Sequence, residues 1–112
     1  MMDYNQLSDW LAVAPQAKPE DLGALAAAGF VGIMNNRPDG EGTDQPSSLE
    51  LEAEARRLGL AYWHVPVAPG AMTDKEVRAF AAALAEVDGP VLAFCRTGNR
   101  STALWNAAQA LS

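Results

Sequence analysis

The chain has 112 residues, 49% of them hydrophobic, which is enough for one domain with a real core (residues 1–112) and too few for two. Its formal net charge of −6 opposes nucleic acid and anionic membrane surfaces, and no stretch approaches the roughly 20 apolar residues that cross a bilayer. A single cysteine excludes an internal disulfide, and one cysteine with one histidine, His64, excludes a structural zinc site, so no metal or cofactor is implied.

The N-terminal run Met1-Met2-Asp3-Tyr4-Asn5-Gln6 has neither a basic flank nor an apolar signal core, so the expected location is the cytoplasm. Trp10-Leu11-Ala12-Val13-Ala14 reads as a first strand. Pro19 stands where a first helical turn tolerates it, Glu20 and Asp21 favour the positive end of that helix's dipole, and Gly29 closes it. Phe30 to Asn35 reads as a buried strand, and the stretch from Asn36 to Ser48, rich in Pro, Gly, Asp and Ser, is the longest loop. A loop of that length is often functional.

Ser47 with Glu50 forms a capping box for a helix carrying Leu49, Leu51, Ala55 and Leu58, which Gly59 ends before a strand over Leu60 to Val67. Thr73 with Glu76 forms a second box, opening a helix with Val77, Phe80, Ala81 and Leu84 on one face. Gly89-Pro90 turns the chain into Val91-Leu92-Ala93-Phe94, a continuous apolar run suited to a central parallel strand, and Ser101 to Leu111 reads as a terminal helix. This alternation predicts an α/β fold in which a small, mainly parallel sheet is flanked by helices in three layers.

Cys95 falls at the junction of the last strand and the last helix, the usual ligand position of open α/β sheets. The run Cys95-Arg96-Thr97-Gly98-Asn99-Arg100-Ser101 can turn its backbone N–H groups toward one point, where the following helix adds its own free N–H groups and positive dipole end. That cradle suits an anion, and a thiolate is one. The cysteine pKa is therefore expected to fall from about 8.5 into the range of roughly 3.5–7.5 found beside helix N-termini and arginine. The planar fork of Arg100 suits the oxygens of a phosphate or sulfur oxyanion, Ser101 is placed to donate its hydroxyl to the sulfur, and Gly98 permits a tight turn. Arg96, Thr97 and Asn99 complete the expected binding loop. His64 reads as a structural histidine, and Trp10, Trp63 and Trp105 as core or rim.

The segments Asn35-Asn36-Arg37-Pro38-Asp39-Gly40-Glu41, Gln45-Pro46-Ser47, His64-Val65-Pro66-Val67 and Phe94 to Ser101, read together, resemble the phosphatase-like domain of the β-lactamase hydrolase-like family. The resemblance runs from about Leu11 to Trp105. It implies a fold related to the dual-specificity phosphatases, a nucleophilic Cys95 and an anion-binding Arg100, and it places Arg37 near the site as a further substrate-binding residue. Tyrosine phosphatases place five residues between cysteine and arginine, whereas Arg96, Thr97, Gly98 and Asn99 make four here, the spacing that resembles rhodanese sulfurtransferases. The general acid of the dual-specificity pattern follows the strand at His64 to Val67, yet Ala68-Pro69-Gly70-Ala71-Met72 offers no carboxylate. Asp74 is the nearest, with Asp39 and Glu41 in the long loop as further candidates.

These residues point to a cysteine-thiolate group-transfer enzyme acting on a small anionic substrate. Sulfur transfer from thiosulfate or a polysulfide to a thiol acceptor is slightly favoured, because it expels a stable anion and needs no proton donor. Phosphomonoester hydrolysis through a phosphocysteine is the alternative, and a non-catalytic anion-binding or redox-sensing module is the third.

Overall fold

A computed structural model describes residues 2–111; Met1 and Ser112, the two ends of the expected domain, lie outside the described residues. Strands β1 (Asn5–Ser8) and β2 (Leu11–Ala14) form a hairpin, and a 3-10 turn (Pro19–Asp21) leads into α1 (Leu22–Ala27). There follow β3 (Gly32–Asn35), α2 (Ser48–Arg57), β4 (Ala61–His64), α3 (Asp74–Ala85), β5 (Val91–Phe94) and α4 (Asn99–Leu111). The sheet order is β1-β2-β5-β3-β4, with β1 antiparallel to β2 and every other pair parallel.

β5 is the central strand, as its unbroken apolar sequence predicts: all four of its residues are buried. The period-two alternation of strands divides the core into two layers. Ala12, Ala14, Ile33, Leu92 and Phe94 pack with Leu22 and Leu25 of α1 and Leu51 and Ala55 of α2. On the opposite face, Leu11, Val13, Met34, Val91 and Ala93 meet Val77, Phe80 and Ala83 of α3 and Leu104 of α4. The three-layer α/β architecture follows from these two packings.

Both capping boxes form. Ser47 Oγ accepts from Glu50 N at 3.1 Å while Glu50 Oε1 accepts from Ser47 N at 3.3 Å, and Thr73 N donates to Glu76 Oε1 at 3.3 Å. Several expected boundaries move for local reasons. Trp10 lies in the β1–β2 turn, 62% exposed, instead of opening the strand. The strand expected over Leu60 to Val67 is regular only to His64, although Val65 N and Val67 N still donate to the carbonyls of Asn35 and Asn36 at 2.9 and 3.0 Å. Pro66 has no N–H to continue the ladder. The edge strand β1 is an addition to the expected fold: Asn5-Gln6-Leu7-Ser8 has too few apolar residues to announce itself.

Among the described residues, no helix is long and apolar enough to cross a membrane.

Candidate active site

The carboxyl ends of the parallel strands gather three segments: the loop after β5, the long loop after β3, and the extended chain after β4. β5 delivers Cys95 to the N-terminus of α4, where the residue is fully buried. Gly98 sits at φ 95° in the turn, and its N–H donates to Cys95 Sγ at 3.1 Å. A side chain at position 98 would be strained by this φ, which glycine adopts at little cost, while the turn lies in contact with the Ala14 backbone of β2.

Burial pushes the Cys95 thiol up, while the backbone N–H groups of Ser101, Thr97, Arg100 and Gly98 pull it down. The amides prevail, and the thiol lies below its ordinary value. The field that lowers it comes from the amides of the folded loop itself.

The expected role of the Ser101 hydroxyl is corrected. It donates to Asn36 Oδ1 at 2.8 Å, so its hydrogen is committed away from the sulfur, and the part Ser101 plays for the thiolate is that of its backbone N–H. Asn36 is completely buried and ties three segments together: its N–H reaches the Phe94 carbonyl at 2.8 Å, its side-chain amide reaches the Val65 carbonyl at 3.0 Å, and its oxygen receives Ser101. The sequence gives Asn36 no role, since its partner Ser101 lies 65 positions away. Only the folded topology joins them.

Arg100 is engaged on one edge. Its Nη1 donates to Glu41 Oε2 at 2.7 Å and to the Val67 carbonyl at 2.8 Å, and its Nη2 donates to Glu41 Oε1 at 2.9 Å. A guanidinium has five N–H donors, so these contacts leave Nε–H and the second Nη2–H, which share the other edge. Glu41 chiefly, and the Cys95 thiolate to a smaller degree, hold Arg100 above its ordinary pKa.

Arg37 is mostly buried and joins the same carboxylate, its Nε donating to Glu41 Oε1 at 3.0 Å and its Nη1 to Gln16 Oε1 at 3.0 Å. His64, with Nε2 2.9 Å from the Arg37 carbonyl, braces this loop as the structural reading expects. Arg37, Glu41, Gly42, Pro69, Arg96 and Arg100 line a cavity of about 520 Å³. Cys95 does not line it, but its loop neighbours Arg96 and Arg100 do. Thr97 and Asn99 face another cavity, of about 160 Å³ beside β2, and Asn99 N donates to Thr97 Oγ1 at 3.3 Å.

The three candidate acids separate. The Arg100 and Arg37 guanidinium groups outweigh burial and hold the Glu41 carboxyl at about 2, so it is ionised at neutral pH. Asp39 Oδ1 accepts from Ser48 N at 2.8 Å and so serves the start of α2. Asp74 is exposed in the first turn of α3 and does not line the cavity beside Arg100. Among the described residues, no cluster of three or more His, Cys, Asp or Glu side chains forms a metal site.

A buried cysteine at the end of a central parallel strand, ringed by loop amides and followed by an arginine at the start of a helix, defines a cysteine phosphatase-like α/β domain. A family model described as beta-lactamase hydrolase-like protein, phosphatase-like domain, matches residues 3–112, and the chain belongs to that family. Beta-lactamase hydrolase-like proteins of Agrobacterium fabrum and of Xylella fastidiosa Temecula1 are each 36% identical to it, over 95% and 93% of its length. The chain spans only 25% and 24% of those two relatives. The crystal structure of a candidate phosphatase from Neisseria meningitidis Z2491 superposes with a TM-score of 0.86 at 31% identity, covering 95% of this chain and 75% of that one. A candidate phosphatase (DUF442) from Shewanella putrefaciens CN-32 shares the fold, with a TM-score of 0.83 at 22% identity over 95% of this chain and 66% of that one.

Proposed function

We propose that this domain is a cysteine-dependent phosphatase that hydrolyses small phosphate monoesters with good leaving groups. The observation that carries the reading is the buried Cys95 sulfur receiving the Gly98 N–H in a ring of loop amides that lowers its pKa. Membership of a phosphatase-like family supports phosphorus over sulfur as the transferred centre. The proposal concerns this domain alone, its curated relatives being about four times as long.

In the first step the Cys95 thiolate attacks phosphorus, an S–P bond forms, the ester P–O bond breaks, and the leaving group departs with the electron pair. In the second, water attacks the phosphocysteine, the S–P bond breaks, phosphate leaves and the thiolate returns. The proton released from water ends on the phosphate or the departed oxyanion. The loop amides and the free edge of Arg100 stabilise the charge on the equatorial oxygens. None of Asp39, Glu41 and Asp74 is poised to protonate the leaving group, which restricts efficient turnover to esters whose leaving group is stable as an anion.

Sulfur transfer is the second reading, favoured by that same lack of a poised acid and by the four-residue spacing. There the thiolate attacks a sulfane sulfur, the S–S bond of thiosulfate breaks to release sulfite, and the Cys95 persulfide passes its outer sulfur to a thiol or cyanide.

A parallel assay separates the two, with an aryl phosphate in one arm and thiosulfate with cyanide in the other. The expected result is phosphate release without thiocyanate formation, with an alkyl phosphate slower than the aryl ester by about 10²-fold or more. Thiocyanate formation without phosphate release would reverse the assignment.

A further inference from the structure

We propose that Glu41 is a positioning residue, which with the Val67 carbonyl grips the outer edge of the Arg100 guanidinium and turns its inner edge toward an oxyanion above Cys95. This role rests on the reading of the Cys95 loop as an anion cradle. Three donor contacts of 2.7 to 2.9 Å fix the outer edge, and a planar group held at two nitrogens has little freedom to rotate. The inner edge keeps two parallel N–H groups, the number a phosphate oxygen pair accepts.

The long loop is built to deliver this carboxylate. Gln45 Oε1 accepts from the N–H groups of Glu41 and Gly42 at 3.0 and 3.1 Å, and Gln45 Nε2 donates to the Pro38 carbonyl at 2.8 Å. A Cβ at position 42 would stand 2.9 Å from Arg37 Nη2, so a side chain there would displace the guanidinium that holds Glu41. Arg37 anchors the opposite end: it binds Glu41 and Gln16, and Gln16 N donates to the Arg96 carbonyl at 3.3 Å. A ring of contacts therefore runs from the anion loop through Gln16, Arg37 and Glu41 back to Arg100.

Two other roles for Glu41 make different demands. A general acid must carry a proton, which two adjacent guanidinium groups oppose. An anion that competes with substrate would occupy the edge facing the sulfur, whereas Glu41 takes one hydrogen from each of Nη1 and Nη2 and does not engage the edge that carries Nε–H.

The test is calorimetric titration of the folded protein with inorganic phosphate, for wild type, Glu41→Gln, Glu41→Asp, Arg100→Ala and the double variant Glu41→Gln/Arg100→Ala. Glu41→Gln is expected to weaken phosphate binding about 10- to 100-fold, in line with the cost of misplacing a positioned group by about 1 Å. Glu41→Asp should recover part of the loss, and Glu41→Gln should cost nothing further once Arg100 is absent. The ratio of aryl to alkyl phosphate turnover should stay unchanged in Glu41→Gln, whereas loss of a general acid would depress the alkyl ester selectively. If Glu41→Gln does not fold, Gln45→Ala carries the test, since it frees the loop amides but keeps both charges; it should weaken phosphate binding by a smaller factor.

Wild type binding phosphate while Glu41→Gln (or Gln45→Ala, where it carries the test) binds it equally well or more tightly would overturn the positioning role alone. Failure of wild type to bind phosphate would overturn the anion-cradle reading and the positioning role with it.

Discussion

Replacing Cys95 with serine should reduce turnover to the uncatalysed background, a loss of at least about 10⁴-fold, because the proposed reaction passes in both steps through a covalent bond to this sulfur. The loop is tuned for a thiolate. The N–H groups of Ser101, Thr97, Arg100 and Gly98 lower the thiol pKa against the opposing pull of burial, and the same field acting on a serine hydroxyl starts from a group far too basic to ionise. The variant should fold normally, since serine replaces cysteine with nearly the same shape, and it should still bind inorganic phosphate. Comparing phosphate release and phosphate binding in the same preparation checks both halves of the expectation. Residual turnover within about tenfold of wild type would remove Cys95 from the nucleophile's role.

Arg100→Ala should lower kcat/KM by about 10²- to 10³-fold, the cost of losing a donor aimed at developing charge. The effect should exceed that of Arg96→Ala, because Arg96 is an exposed rim residue while the Arg100 side chain is only 16% exposed and held at both terminal nitrogens. Lysine at position 100 should rescue little: an ammonium carries the charge, but not the planar fork that meets Glu41 on one edge and the oxyanion on the other. The change also leaves Glu41 with Arg37 as its remaining cationic partner, so a modest fall in thermal stability should accompany the kinetic loss. Equal losses in Arg96→Ala and Arg100→Ala would show that the cavity responds to positive charge in general.

Much of this site is legible in the sequence, and the reason is locality. Cys95, Gly98 and Arg100 lie within six residues, and the turn that joins β5 to α4 brings their amides together without help from distant segments. The two capping boxes and the apolar β5 are local in the same sense. What the sequence hides depends on long-range contact. Glu41 meets Arg100 across 59 positions, and Ser101 meets Asn36 across 65, so neither the ionised state of Glu41 nor the commitment of the Ser101 hydroxyl follows from spacing. The carboxylate that reads as a candidate acid in isolation becomes the partner of two arginines once the long loop folds over the site. β1 is hidden in the sequence for a related reason, since its pairing with β2 draws on backbone hydrogen bonds more than on apolar side chains.

The preference between phosphorus and sulfur also changes with the fold. Loop spacing and the missing acid slightly favour sulfur when taken alone; the β-lactamase hydrolase-like family and its phosphatase-like domain shift the balance toward phosphoryl transfer.

Whether the folded loop holds Cys95 as a thiolate is read from the rate of its alkylation by iodoacetamide as a function of pH. With a single cysteine in the chain, intact-protein mass reports that residue alone. A midpoint clearly below the ordinary thiol value is expected in the native protein, returning to about 8.5 when the loop is unfolded in denaturant. A native midpoint at or above the denatured one would contradict it.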